Sequence, residues 1–266
     1  MPDAAGLWYD WHGPEDGEIL ILSAGLGGSA EFWRPNVEAL AERHRVLLYD
    51  HRGTGRSDRG VPDSVTVDDF ADDILALMDA LGISAATLIG HAVGGVAALA
   101  LALKAPSRLR RLAVVNGWAS PDPHFLRCFE ARLALLRDSG PEAYLRAQPI
   151  FLYPAPWSSE HNDEIEAELA AQLKAFQGTG TLTKRIAALT QFDVFSRLEE
   201  IAAPVLVLSA PDDTLVPWQA ARALADGLPN CVAYHAFGGH ALNRTAPKQF
   251  NDIVLAWLAG ALTAQE

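Results

Sequence analysis

The chain has little cysteine, little positive charge and no long hydrophobic run, and each shortage removes a class of protein. Only two cysteines occur in 266 residues, Cys128 and Cys231. A disulfide-stapled secreted scaffold needs more, and neither cysteine has metal-site spacing. Both are read as reduced structural thiols of a cytoplasmic protein. Lys and Arg total 21 against 33 Asp and Glu, a formal charge of −12. Nucleic-acid binding needs clustered cations that neutralise phosphates, so that role is not expected. No stretch approaches the roughly 20 apolar residues that span a bilayer. No charged leader followed by an apolar segment opens the chain, so no signal peptide and no membrane role are expected. No His, Asp, Glu or Cys cluster has metal-ligand spacing, and no cofactor motif is present. The expected partner is a small-molecule substrate. Oligomeric state is left open, a homodimer included.

What is present is a large apolar fraction, 50% of residues, arranged in alternating runs. Glu18 to Ser23 reads as a buried strand, followed by a glycine-rich turn from Gly25 to Gly28. Ser29 to His44 reads as a helix and Arg45 to Asp50 as the next strand. Thr66 has the chemistry of an N-cap, with Asp68 and Asp69 suiting the positive helix end. Thr87 to Gly90 is a short central strand. The helix after it, Gly94 to Ala105, is apolar all round, as a helix buried against a sheet is. Arg111 to Asn116 is another strand. This alternation predicts an α/β fold, a mostly parallel sheet with helices on both faces. From about Ser120 to Glu200 only helical patterns occur: Phe125 to Leu136, Pro141 to Gln148, Ser159 to Phe176 and Leu182 to Ala188. The alternation resumes with a strand at Pro204 to Ser209, a helix at Trp218 to Gly227, a strand at Cys231 to Phe237 and a helix at Lys248 to Leu262. The expected organisation is a core of residues 1–119 and 201–266 with a helical cap, 120–200, over the strand ends. Ligands bind at such ends in open α/β sheets.

One further absence is chemical. Gly90-His91-Ala92-Val93-Gly94 has the outline of a nucleophile elbow, Gly-x-Ser-x-Gly, with alanine where the serine should stand. Ala92 cannot attack a carbonyl or form an acyl-enzyme. The Val93 N–H, at a helix N-terminus, is placed to stabilise negative charge. Ser23-Ala24-Gly25-Leu26-Gly27-Gly28 follows the first strong strand, where such folds supply a second oxyanion N–H, here from Leu26. The usual His-Gly pair is Ala24-Gly25 here, and because the donor is backbone the loss of the histidine side chain need not abolish it. Asp213, in Pro211-Asp212-Asp213-Thr214-Leu215-Val216-Pro217, fits the acid position better than Asp212. His240, behind Gly238 and Gly239, is the general-base candidate and comes last in the order elbow, acid, histidine. Asn116 and Trp118 follow the strand beside the elbow and could line the pocket, with packing against the cap the competing reading for Trp118. Arg127 and Arg132 could meet a carboxylate, but a solvated helix face is the preferred reading. His91 is read as packing locally. Ser23 and Ser29 are conceivable substitute nucleophiles outside the elbow.

Together, the elbow, Asp50-x-Arg52-Gly53-x-Gly55-x-Ser57, the Asp213 loop and Gly-Gly-His240 resemble the α/β-hydrolase fold superfamily. A narrower set is similar to the protein D family of the bacterial Rut pathway of pyrimidine utilisation: Leu26-Gly27-Gly28-Ser29, Gly90-His91-Ala92, Val115-Asn116-Gly117-Trp118, Arg127-Cys128-Phe129, Ala147-Gln148-Pro149, Phe151-Leu152-Tyr153-Pro154 and Phe176-Gln177-Gly178. That resemblance implies a native alanine at the elbow and action late in uracil breakdown, on carbamate or 3-aminoacrylate. The expected chemistry is hydrolysis by the His240 and Asp213 pair with a backbone oxyanion site and no covalent intermediate. The alternatives are a serine esterase silenced at Ala92, a non-catalytic receptor for a small ligand, and a proton-transfer or elimination enzyme.

Overall fold

Short aliphatic runs bounded by glycine, proline or polar residues form the strands. The computed structural model describes residues 3–263. Its strands are β1 (Asp3–Ala4), β2 (Leu7–His12), β3 (Glu18–Ser23), β4 (His44–Tyr49), β5 (Ala86–His91), β6 (Leu109–Val115), β7 (Val205–Ser209) and β8 (Cys231–His235). They form one sheet in the order β1-β2-β4-β3-β5-β6-β7-β8. Strands β3 to β8 pair in parallel, and β1 and β2 run antiparallel at one edge. The β1–β2 hairpin was not expected from the sequence. Its mixed run Leu-Trp-Tyr-Asp-Trp-His lacks the clean aliphatic signal of the buried strands.

Successive residues of a strand point to opposite faces, and here they feed two separate cores. Leu20, Leu22 and Ile89 join one cluster, while Ile21 and Leu88 join the other. The first core is closed by α1 (Arg34–Ala41) and α10 (Pro247–Leu258), through Trp33, Leu40, Phe250 and Val254. The second is closed by α2 (Val67–Ala80), α3 (Val93–Lys104) and α8 (Trp218–Gly227), through Phe70, Ile74, Val96, Leu99 and Leu224. Helix α2 starts on a capping box, with the Thr66 N–H and hydroxyl both donating to the Asp69 carboxylate. The helix expected from Ser29 opens instead with a 3-10 turn, and α1 begins only at Arg34 with Pro35 in its first turn. Proline fits there because no intrahelical partner awaits its missing N–H.

Between β6 and β7 the described residues form no strand. They form α4 (Pro123–Leu152), α5 (Ala155–Glu160), α6 (Asn162–Lys174) and α7 (Thr179–Gln191). Two of the expected helices are joined in α4, which bends at Gly140 (φ 82°). The ends of the excursion meet where the Val194 N–H donates to the Ala119 carbonyl at 2.8 Å. Phe125, Phe129, Leu182, Ile186 and Leu189 pack this segment onto the second core. No helix among the described residues is long and apolar enough to cross a membrane.

Candidate active site

The elbow forms where β5 runs into α3. Ala92, its central residue, has φ 46° and ψ −105°. An L-residue reaches this region only under strain of order 1–3 kcal/mol. The turn is held by the Ala92 N–H, which donates to Val115, and by the Gly94 N–H, which donates to Ala24. Gly94 is required by contact: a Cβ there would lie 2.1 Å from the Ser23 carbonyl oxygen. The strained backbone that would present a nucleophile is therefore intact, and the side chain on it is a methyl group.

The acid and the histidine come from the loops after β7 and β8, at the same sheet end as the elbow. His240 Nδ1 lies 2.7 Å from Asp213 Oδ2, and both side chains are buried. The other Asp213 oxygen accepts the Leu215 and Val216 N–H groups at 2.7 and 2.9 Å. A carboxylate so engaged is held in one orientation, and it accepts the hydrogen bond of the His240 Nδ1–H. Nε2 is then the ring nitrogen that can take up a proton. Asp212 is engaged elsewhere, accepting the N–H groups of Gly238 and Gly239 that shape the histidine loop. Asn116 holds the same loop. Its amide donates to the Gly239 and His240 carbonyls at 3.1 and 2.7 Å and accepts from the Ala210 N–H. Its side chain thus ties the acid and histidine loops together.

His91, next to the elbow, does more than pack locally. Its Nε2 donates to the His240 carbonyl at 2.7 Å, and its ring meets the His240 ring edge-on at 4.7 Å. Burial, then the neighbouring His240, push its pKa well below the usual histidine range, so it is neutral. Its Nδ1 has no hydrogen-bond partner among the described residues. It faces Gly25, where a Cβ would come within 2.7 Å. Glycine at 25 thus lets the Leu26 loop lie against the elbow.

Neither substitute serine is free to react. Ser23 is fully buried, bonded to the Tyr49 hydroxyl at 2.7 Å and to His51 Nε2 at 3.2 Å. Ser29 caps the 3-10 turn by accepting the Glu31 N–H. Arg127 is exposed, but Arg132 is buried, contrary to its reading as a solvated residue. Its guanidinium donates to the Tyr144 hydroxyl and sits among the rings of Phe129, Tyr144 and Phe151. The reason is helical spacing: Arg132 falls on the same buried stripe of α4 as Phe125, Cys128, Phe129 and Leu136. Trp118 is buried against Phe125 at 4.5 Å, so it packs on the helical segment as its competing reading had it. Its indole N–H has no partner among the described residues.

Sequence reasoning missed the side chains that reach the Leu26 loop from the helical segment. Arg185 of α7, fully buried, donates to the carbonyls of Leu26 (3.2 Å) and Arg52 (3.1 Å) and to His51 Nδ1 (3.1 Å). A guanidinium only donates, so His51 Nδ1 accepts and its proton sits on Nε2, toward Ser23. Burial, reinforced by Arg185, keeps His51 neutral. Burial also brings the Arg185 pKa down to about 10. Gln177 donates to the same Leu26 carbonyl at 3.4 Å. No local pattern marks either residue. Gln177 stood only inside a family-like tripeptide. No group of three His, Cys, Asp or Glu that could hold a metal ion occurs among the described residues.

Comparison with known proteins places the chain in a family. The profile of the alpha/beta hydrolase fold family matches residues 18–241. A protein of Caulobacter sp. strain K31 named "Putative carbamate hydrolase RutD" is 52% identical over 96% of each chain. A protein of the same name from Variovorax paradoxus strain S110 is 47% identical over 95% of this chain and 96% of its own. Among solved structures, the enol-lactonase from Burkholderia xenovorans LB400 superposes with a TM-score of 0.86 at 25% identity, covering 96% of this chain and 98% of its own. A hydrolase from Pseudomonas aeruginosa PA01 gives 0.83 at 27% identity, covering 95% and 94%.

Proposed function

Since the chain belongs to the α/β-hydrolase family and, within it, to the RutD proteins, we propose that it is a hydrolase of a small C–N substrate, carbamate or 3-aminoacrylate, working without a covalent intermediate. The observation that carries this is the His240–Asp213 pair, 2.7 Å apart and buried, beside an elbow with the strained φ of 46° and no nucleophile. A serine enzyme that had lost its function along with its serine would have no reason to keep the rest.

The chemistry follows from the atoms. His240 presents Nε2 as a base toward water at the elbow, while Asp213 stabilises the imidazolium that forms. For carbamate, water adds to the carboxyl carbon, the proton held by His240 passes to nitrogen, and ammonia and bicarbonate leave. For 3-aminoacrylate, a solvent proton adds to the α-carbon and gives an iminium; His240 takes a proton from the attacking water and passes it to nitrogen, and the first proton returns to solvent as the aldehyde forms. Water adds to C3, and ammonia departs to leave the aldehyde. The N–H groups of Leu26 and Val93 hold the substrate carboxylate or the developing oxyanion. The methyl group of Ala92 leaves room for the attacking water. Both substrates decompose unaided in water, so the demand on the protein is modest. General acid–base help supplies about 10²–10⁴-fold and an oxyanion donor about 10²–10³-fold.

The silenced-esterase reading predicts something different for Ala92→Ser. There the serine would give rapid turnover of an aryl acetate with an acyl-enzyme burst and no loss elsewhere. The expected outcome here is that Ala92→Ser lowers ammonia release by displacing the water, and that intact-mass spectrometry of the native protein during turnover shows no adduct. A native adduct would overturn the proposal.

A further inference from the structure

A buried guanidinium without a carboxylate is costly, and Arg185 is one. It forms no ion pair with Asp or Glu among the described residues, and its Nε has no partner. Its stem and fork lie against Phe70, 4.9 Å from the ring centre. Its hydrogen bonds among the described residues go to two loops of the sheet end. One is the Leu26 loop. The other is the turn that begins at His51 and Arg52, which also grips the far end of the Leu26 loop: the His51 N–H and the Thr54 hydroxyl both donate to the Gly28 carbonyl, at 2.8 and 3.0 Å. At its near end the loop is pinned by the bond from the Gly94 N–H to Ala24. Among the described residues, the middle of the loop, the Leu26 carbonyl, is held only from the helical segment, by Arg185 and by Gln177.

We infer that Arg185, assisted by Gln177, is a positioning residue that fixes the Leu26 peptide so that the adjoining Leu26 N–H stays aimed at the reacting oxygen. This rests on the oxyanion role given to Leu26 above. Fixing the carbonyl side of a residue limits rotation of the N–H on its other side, and misplacement of about 1 Å at such a donor costs up to roughly 10²-fold in rate. The planar fork explains why the residue is arginine. One guanidinium reaches three acceptors on two loops, which a single ammonium on a flexible stem cannot reproduce. The bond network also couples the helical segment to the catalytic loop, so the site is complete only when α7 is seated.

Two other roles would leave different signatures. A plain structural clamp would alter stability and leave kinetics alone once the protein is folded. An interior cation that attracts an anionic substrate would act on KM and would be replaceable by lysine. The test compares native protein with Arg185→Gln, Arg185→Lys and Gln177→Leu. It measures kcat and KM for ammonia release from carbamate and 3-aminoacrylate, and amide hydrogen exchange at Leu26 and Gly27 by NMR. Positioning predicts a fall in kcat of about 10–100-fold for Arg185→Gln with KM changed less than about threefold. It also predicts amide exchange raised about tenfold at Leu26 and Gly27 but not in β7. Arg185→Lys does not restore kcat, and Gln177→Leu moves both readouts the same way by a smaller factor. A raised KM with kcat kept, full activity in Arg185→Lys, or unchanged kcat and exchange in a folded variant overturns the inference. Should native protein turn over neither substrate, the proposed function fails and exchange alone judges Arg185, unchanged exchange counting against it. Should Arg185→Gln not fold, exchange in Gln177→Leu decides in the same way.

Discussion

At the scale of single residues, Ala92 carries the most information. Its φ of 46° is the cost of an elbow, borne by a side chain that cannot do the elbow's usual work. Replacing Ala92 with glycine removes the Cβ that suffers at positive φ. Ala92→Gly is therefore expected to raise stability by about 1 kcal/mol in urea denaturation, net of glycine's greater freedom in the unfolded chain. A loss of stability would show that the methyl group is supported by packing that outweighs the strain. Ala92, Asp213 and His240 were legible in the sequence because each sits in a short local pattern whose turn chemistry is specific. Asn116 was legible as a site residue, but its contacts place it on the backbone of the acid and histidine loops. Arg185 and Gln177 were not legible. Arg185 meets Leu26 across 159 positions of sequence, so only the folded chain brings them together.

At the scale of elements, the sheet was readable because its strands are buried on both faces and so appear as unbroken aliphatic runs. The bounds moved where hydrogen bonding, not hydrophobicity, ends an element: β8 stops two residues early at His235, and α10 ends four residues early at Leu258. The β1–β2 hairpin and the continuity of α4 across Gly140 stayed hidden, because an edge strand and a kinked helix carry weak periodic signals. One tight joint is β5–elbow–α3, where Gly94 touches the Ser23 backbone. In Gly94→Ala the added carbon meets a carbonyl oxygen at 2.1 Å, and backbone cannot move aside as a side chain can. A loss of roughly 3 kcal/mol in urea denaturation is expected. A loss under about 1 kcal/mol would mean that β3 and α3 can separate freely at this point.

At the scale of the whole molecule, folding buries two histidines, His51 and His91, both held neutral by burial. Their folded pKa values lie below the unfolded value of about 6.5. Below that pH the unfolded chain takes up protons that the folded chain refuses, so stability is present above about 6.5 and declines as pH falls. Each histidine adds a slope approaching about 1.4 kcal/mol per pH unit. His91→Gln retains a donor for the His240 carbonyl and removes one titrating group. Urea midpoints between pH 7 and 5 should fall less steeply in this variant than in native protein. Equal slopes would mean that His91 is protonated in the folded state.

The central claim is hydrolysis by a histidine–aspartate pair without a nucleophile. It is tested most directly by following carbamate and 3-aminoacrylate by NMR, together with ammonia release, for native protein, His240→Ala and buffer. Native protein is expected to accelerate one substrate. His240→Ala is expected to lose about 10²–10⁴-fold of that acceleration. Acceleration that survives His240→Ala unchanged, or no acceleration of either substrate by native protein, would contradict it.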